Sequence, residues 1–314
     1  MKLILDLDTG IDDALALAYA LALPDVELIG VTAVFGNVTR DGSVENNRNL
    51  LALLGAAGVP VAPGAAHAWA AESYQPGAFK YRIHGGNGIG NVALPASTAP
   101  VCGTPAAEFI VGAARRFGGG LAVVATGPLT NLADAIRLDR AAMASVGAIS
   151  IMGGALTVPG NRTPFAEANI CDDPEAAKYV FESGLPVTMV GLDVTMQTKI
   201  LEQDIARWRR IKTPAAAALV AMAEYYYKNE SETGELGGAI HDPLALEAAV
   251  NPAAFSMLPI NLTVVTEGPG RGRTVGDMER LCDAEKSARV AVGVGAAAFV
   301  EKFCGAIADY LARG

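Results

Sequence analysis

The stretch Leu3-Ile4-Leu5-Asp6-Leu7-Asp8-Thr9-Gly10-Ile11-Asp12-Asp13 runs from an apolar segment through a glycine into an apolar helical pattern, with four carboxylates inside eight residues. Read as strand, turn and helix, it gathers like charges at the carboxyl end of a strand. Carboxylates crowded in this way repel one another and their pKa values rise unless something positive sits among them. A hard divalent cation with oxygen ligands is the simplest remedy. Gly10 reads as the residue that lets the backbone turn tightly. Asp12 and Asp13 fall at the helix start, where the helix dipole favours negative charge. Capping a helix takes one acid rather than four, so the segment predicts a metal site.

Outward from this segment, strand-like and helix-like stretches alternate. Strands are expected over Lys2–Leu7, Val26–Phe35, Val59–Ala62, Leu121–Thr126, Ala148–Met152, Pro186–Leu192, Asn261–Thr266 and Arg289–Val294. Helices are expected over Asp12–Leu23, Ser43–Leu54, Pro105–Phe117, Pro174–Ser183, Glu202–Arg210, Thr213–Tyr227, Asp242–Val250 and Ala296–Ala312. Residues 64–104 are rich in Gly, Pro and Asn and lack periodicity, which in a compact domain marks a functional loop. The alternation predicts an α/β sandwich with a central, mostly parallel sheet flanked by helices. No repeat and no linker divides it, so one domain is expected over residues 1–314. Ligands in such folds bind at the carboxyl ends of the strands, where Asp8–Asp13, Gly36-Asn37, Thr126-Gly127, Met152-Gly153 and Asp193 lie.

Composition narrows the partners. The 314 residues are 51% hydrophobic and 18% charged, with a net charge of −9. Without a basic stripe, nucleic acid is not an expected partner. Cys102, Cys171, Cys282 and Cys304 have no metal-ligand spacing and read as free thiols of a reducing compartment. There is no run long and apolar enough for a membrane span, and the chain enters a strand at once, so neither a leader nor a membrane is expected. Together these features predict a cytoplasmic protein.

Three further groups carry polar chemistry. Thr163-Pro164-Phe165-Ala166-Glu167-Ala168-Asn169-Ile170 places Glu167 and Asn169 two apart, on one side of an extended loop, and a carboxylate with an amide suits paired sugar hydroxyls. Read alone, the same residues are a loop before a helix cap. Gly237-Gly238-Ala239-Ile240-His241-Asp242 sets a proton donor beside a carboxylate. Ile83-His84-Gly85-Gly86-Asn87-Gly88 holds a second of the three histidines.

In order along the chain, these segments resemble the inosine–uridine-preferring nucleoside hydrolases over nearly their whole length. The resemblance also includes Phe35-Gly36-Asn37, Thr126-Gly127-Pro128-Leu129-Thr130-Asn131, Met152-Gly153-Gly154, Asp173-Pro174-Glu175-Ala176-Ala177 and Gly272-Arg273-Thr274-Val275. It implies a nucleoside-hydrolase-like sandwich that cleaves the N-glycosidic bond of ribonucleosides to base and ribose. It also implies a resident Ca²⁺ held by Asp8, Asp13, Asp242 and the Thr126 carbonyl. By the same resemblance Asp8 is the general base toward metal-bound water, and Asp12, Asn37, Asn161, Glu167, Asn169 and Asp242 hold the substrate. Met152 then packs under the sugar, His241 assists the departing base, and His84 stands near it. Homodimers or homotetramers are usual in that family, and nucleoside salvage is the expected role.

Two features depart from the pattern: Thr9 replaces a usual proline, and the 85–91 loop lacks an acid; Tyr225-Tyr226-Tyr227 lies where the family places aromatic residues over the base, and read alone is a helix face packed on the core. Two rival readings exist. Asp6-Leu7-Asp8-Thr9 also resembles the opening of haloacid-dehalogenase-type phosphatases, with Asp6 as nucleophile. A Ca²⁺-dependent nucleoside- or sugar-binding protein without catalysis is the other, and intact base and ligand positions argue against it.

Overall fold

The computed structural model describes residues 1–229 and 237–313. In chain order, β1 (Lys2–Leu7) leads into α1 (Ile11–Ala22), β2 (Glu27–Ala33), α2 (Arg40–Leu53), β3 (Val61–Pro63), α3 (Ala78–His84) and α4 (Ala106–Phe117). Next come β4 (Leu121–Ala125), α5 (Thr130–Leu138), α6 (Arg140–Ala144), β5 (Ala148–Met152), α7 (Ala168–Asp172), α8 (Pro174–Glu182) and β6 (Val187–Val190). They are followed by α9 (Leu192–Thr195), β7 (Lys199–Ile200), α10 (Glu202–Arg209), α11 (Pro214–Asn229), β8 (Gly238–Ala239) and α12 (His241–Val250). The chain closes with β9 (Phe255–Ile260), β10 (Leu262–Val264), β11 (Thr274–Gly276), β12 (Ala288–Val294) and α13 (Ala296–Ala312).

Eight strands form one sheet in the order β3-β2-β1-β4-β5-β6-β12-β9. All neighbours in it are parallel except β12 and β9. Parallel neighbours need crossover connections, and helices supply them. Side chains alternate across each strand, so Leu3, Leu5 and Leu7 join a core formed with α1, α11, α12 and α13. Ile4 faces the other way, into a second core with α4, α5 and α8. Helices α1 and α12 are buried over almost their whole length. An apolar character all round is what such a position requires, and it brings the first turns of both helices to one place. β1 is the switch point: β2 and β3 continue to one side, β4, β5 and β6 to the other. The crevice beyond β1 and β4 is therefore the expected ligand site.

The expected α/β sandwich is the observed architecture. Some elements differ from expectation. The late strand expected at Asn261–Thr266 is shorter and pairs with β11 in a separate two-stranded sheet. β9, which carries Pro259, closes the sheet as its antiparallel edge, the place where a proline's missing N–H does no harm. The 64–104 segment contains α3, a short helix inside what reads as an irregular loop. All four cysteines are free. No helix among the described residues is long and apolar enough to cross a membrane.

Candidate active site

Strand β1 ends at Leu7, and Asp8 follows it into the crevice. Asp8 is fully buried. Its Oδ2 accepts from the Asn37 backbone N–H at 2.6 Å, and its Oδ1 from Asn37 Nδ2 at 3.2 Å. Gly36 makes this approach possible, because a Cβ there would stand 2.0 Å from Asp8 Oδ2. Asp13 folds back in the first turn of α1: its Oδ2 accepts from Gly10 N at 2.7 Å and its Oδ1 from Thr126 Oγ1 at 2.6 Å. Gly10 itself has φ −85° and ψ −165°, an extended conformation open to any residue. Its glycine is required for space rather than for bending: a Cβ would meet Asn37 Nδ2 at 2.6 Å and His84 Nδ1 at 2.7 Å. This corrects the expectation that Gly10 does the turning. Thr9 is held by Ser43, hydroxyl to hydroxyl at 2.9 Å, which anchors the turn where the family usually has proline.

The first turn of α12 brings Asp242 to the same floor. Carboxylate oxygens of Asp12, Asp13 and Asp242, all buried, lie within 4.8 Å of one another. Asp8 is outside that trio but close enough to Asp13 to feel its charge. Burial first, and then the Asp13 charge, push the Asp8 carboxyl well above the usual carboxylate range. Asp242 is pushed up in the same way, by burial and then by Asp12, Asp13 and Asp8. Burial also raises Asp13, although the Thr126 and Gly10 hydrogen bonds oppose the rise. So dense a set of buried acids is costly without a cation. The donors are hard oxygens, the chemistry that Ca²⁺ or Mg²⁺ takes and that softer, thiolate-binding metals do not. The residues present therefore fit a divalent cation. The Thr126 carbonyl accepts from Asn169 Nδ2 at 2.7 Å, and a carbonyl's second lone pair leaves room for another partner.

Above the floor lies a cavity of about 330 Å³. Asp12, Asn37, His84, Thr126, Met152, Asn161, Glu167, Asn169, His241 and Asp242 line it. The structure thus brings together every site residue expected from the sequence; Asp8 and Asp13 lie against its floor. Two of them also have structural duties. Glu167 caps α7: Oε1 accepts from Asn169 N at 2.9 Å, and Oε2 from Gly154 N at 3.0 Å and Ile170 N at 3.1 Å. The loop-and-cap reading of this segment is therefore correct alongside the cavity-lining one. Asn169 Nδ2 also donates to the Met152 carbonyl at 3.1 Å, joining the ends of β4 and β5.

Histidines and an aromatic ring stand beside these acids, His84 Nδ1 lying 3.9 Å from Asp12 Oδ1. Burial first, then Lys80 and His241, hold the His84 imidazole down at about 3, so it is neutral at ordinary pH. Its Nδ1 faces the Ile11 backbone N–H at 3.1 Å. That nitrogen is the acceptor, and the proton of neutral His84 therefore resides on Nε2. The Tyr226 ring lies 5.7 Å from the His84 ring, and its hydroxyl is 3.4 Å from Asp12 Oδ2. His241 Nδ1 sits 2.8 Å from Thr195 Oγ1 of α9.

Sequence reasoning missed several residues of this site. Thr195 and Lys80 carry no local signal, since each becomes relevant only through a distant partner. Asn131 is the exception, because it stands in the quoted Gly127–Asn131 motif. Its amide donates to Asp6 Oδ1 at 2.7 Å, and Thr32 Oγ1 donates to the same atom at 2.6 Å. Asp6 is wholly buried between strands and is absent from the cavity lining. It cannot be a nucleophile, which removes the phosphatase reading. The 85–91 loop lies outside that lining too; Gly86, Asn87 and Ile89 line a separate groove with Asn46.

The chain as a whole resembles known proteins. The family described as inosine-uridine preferring nucleoside hydrolase matches residues 3–301. A pyrimidine-specific ribonucleoside hydrolase RihA of Shewanella sp. (strain ANA-3) is 36% identical, the match covering 98% of this chain and 96% of that one. A probable uridine nucleosidase 1 of Oryza sativa subsp. japonica is 38% identical over 88% of this chain and 85% of its own. Among solved structures, a purine-preferring ribonucleoside hydrolase from Gardnerella vaginalis superposes with a TM-score of 0.98 at 43% identity, covering 100% of both chains.

Proposed function

The chain belongs to the inosine–uridine preferring nucleoside hydrolase family, metal-dependent enzymes that hydrolyse the N-glycosyl bond of ribonucleosides, and from that premise we propose how its cavity does so and with which ion. The observation that carries the reading is the make-up of one cavity, which joins buried acids and amides to two histidines and an aromatic ring. We assign the ion as Ca²⁺, held by Asp8, Asp13, Asp242 and the Thr126 carbonyl, because a crowded carboxylate set with a backbone carbonyl suits flexible, high coordination better than the strict octahedron of Mg²⁺. When bound, the ion supplies the positive charge that keeps these carboxyls ionised and the Lewis acidity that polarises water.

In this reading Asp12, Asn37, Asn161, Glu167, Asn169 and Asp242 hold the ribose, with Met152 packed beneath it. Asp8, fixed by both nitrogens of Asn37, takes the proton from the attacking water. Glycosidic cleavage builds positive charge on the ribose, and the surrounding carboxylates and amide oxygens stabilise that charge. The base leaves poorly as an anion. His241, oriented by Thr195, gives it a proton, and His84 offers Nε2–H as a second donor. Tyr226 lies against His84. The relatives named above include pyrimidine-specific and purine-preferring enzymes, so base choice rests on these residues.

The test is release of free base and ribose from inosine, adenosine, guanosine, uridine and cytidine without added phosphate, with bound metal assayed in the same sample. Ribose release with about one Ca²⁺ per chain supports the proposal. Release that needs phosphate, or full activity in protein stripped of divalent ions, overturns it.

A further inference from the structure

Lys80 is an ammonium group in an unusual place. It is 3% exposed, on α3, and lines the catalytic cavity. It forms an ion pair with Asp172 at the end of α7, whose side chain is also nearly buried. Burial by itself lowers a lysine, but the Asp172 carboxylate, with Tyr74 and Asp8 further off, raises it on balance, so the charge is kept. Its Nζ stands 5.8 Å from the centre of the Tyr74 ring. The Tyr74 hydroxyl in turn donates to the Gly36 carbonyl at 2.5 Å. Gly36 precedes Asn37, both of whose nitrogens hold Asp8. Asp172 closes the helix that Glu167 caps and that carries Asn169.

Lys80 therefore joins two cavity-lining segments directly, α3 with Phe79 and His84 and α7 with Asn169, and reaches the Gly36-Asn37 turn through Tyr74. α3 has only seven residues and is too short to hold its own shape. A buried ion pair with a single partner is well suited to setting register, since a shift of either element leaves a charge unpaired.

We propose that Lys80 is a positioning residue that fixes the wall of the cavity by tying α3 to α7 through Asp172. This rests on the nucleoside-hydrolase reading of the cavity. The frame holds substrate and transition state alike, so its loss weakens binding and leaves the chemical step intact.

The experiment compares full-length wild type, K80M, K80R and D172N with inosine and uridine, with bound divalent ion measured in each sample. Inhibition by free ribose is measured alongside. K80M and D172N should raise KM and the ribose inhibition constant together, by about tenfold. Values of kcat should stay within about threefold. K80R keeps a charge for Asp172 and should restore most of the loss. If K80M fails to fold, D172N carries the same comparison. Wild-type KM in the variants, whatever their melting temperature, makes the pair merely structural and overturns the proposal. So does a fall in kcat at unchanged KM. A wild type that releases no ribose overturns the function reading instead, whereas an active wild type with indifferent variants overturns only this inference.

Discussion

Replacing Asp6 with asparagine separates the parts played by Asp6 and Asp8, the two acids at the end of β1. Asp6 is wholly buried in β1, accepts from Thr32 and Asn131 through Oδ1, and leaves Oδ2 without a hydrogen-bond partner. Burial raises its pKa from 3.8 to about 6, the two hydrogen bonds offsetting part of the rise. Two units at about 1.4 kcal/mol each amount to about 3 kcal/mol. The folded carboxyl binds its proton more tightly than the unfolded one. The stability it contributes is therefore present below the unfolded value, 3.8, and lost as pH rises through about 6. An asparagine can keep both accepted hydrogen bonds through its carbonyl and cannot ionise. Its NH₂ occupies the place of Oδ2 at a cost of about 1–3 kcal/mol that does not vary with pH. The stability of D6N relative to wild type should thus climb by about 3 kcal/mol from about pH 4 to about pH 7.5. Urea unfolding at fixed excess Ca²⁺, followed by fluorescence of the buried Trp208, reads this difference. A difference flat to within about 0.5 kcal/mol across that range would refute the argument. Turnover is the second readout. D6N should keep wild-type kcat near neutrality, since Asp6 does not reach the cavity.

The neighbouring acid should behave in the opposite way. D8N should lower kcat by about 10²–10⁴-fold with Ca²⁺ still bound; near-normal turnover with the metal in place would remove Asp8 as the base. H241A should slow inosine by a similar factor but spare p-nitrophenyl riboside, whose nitrophenolate leaves unaided; equal slowing of both would show that His241 does not protonate the leaving group. Protein stripped of divalent ions should lose activity and melt at lower temperature. Because Asp8, Asp13 and Asp242 are all raised in the fold, that ion-free protein should be steadier in mild acid and lose stability as pH rises, and Ca²⁺ should flatten the dependence. Calorimetry across pH with and without Ca²⁺ checks this, and parallel profiles would count against a cation among these acids.

Much of the site is legible in the chain because its residues come in short clusters. Asp8, Asp12 and Asp13 follow one strand, Glu167 and Asn169 share one loop, and His241-Asp242 open one helix. The Gly127–Asn131 motif is visible too, and its reason is local to the fold: a Cβ at Gly127 would crowd Val34 and Asp8, and Thr130 donates to Asp173 at 2.7 Å. Elements escape sequence reading where their pattern is weak. α3 lies within a Gly- and Pro-rich stretch, and β9 contains a proline that only an edge position permits. Gly10 shows the same limit at one residue, since its need for space comes from Asn37 and His84, far along the chain.

The chain by itself determined the α/β class, the acidic turn after β1 and the residue types at the strand ends, because alternation, periodicity and charge crowding are local properties. Tertiary structure alone decided which acids converge, how His84 is protonated, that Asp6 is walled off and that Lys80 joins α3 to α7. Each of these depends on distances between segments tens to hundreds of residues apart, where burial and the nearest charge set what a side chain can do.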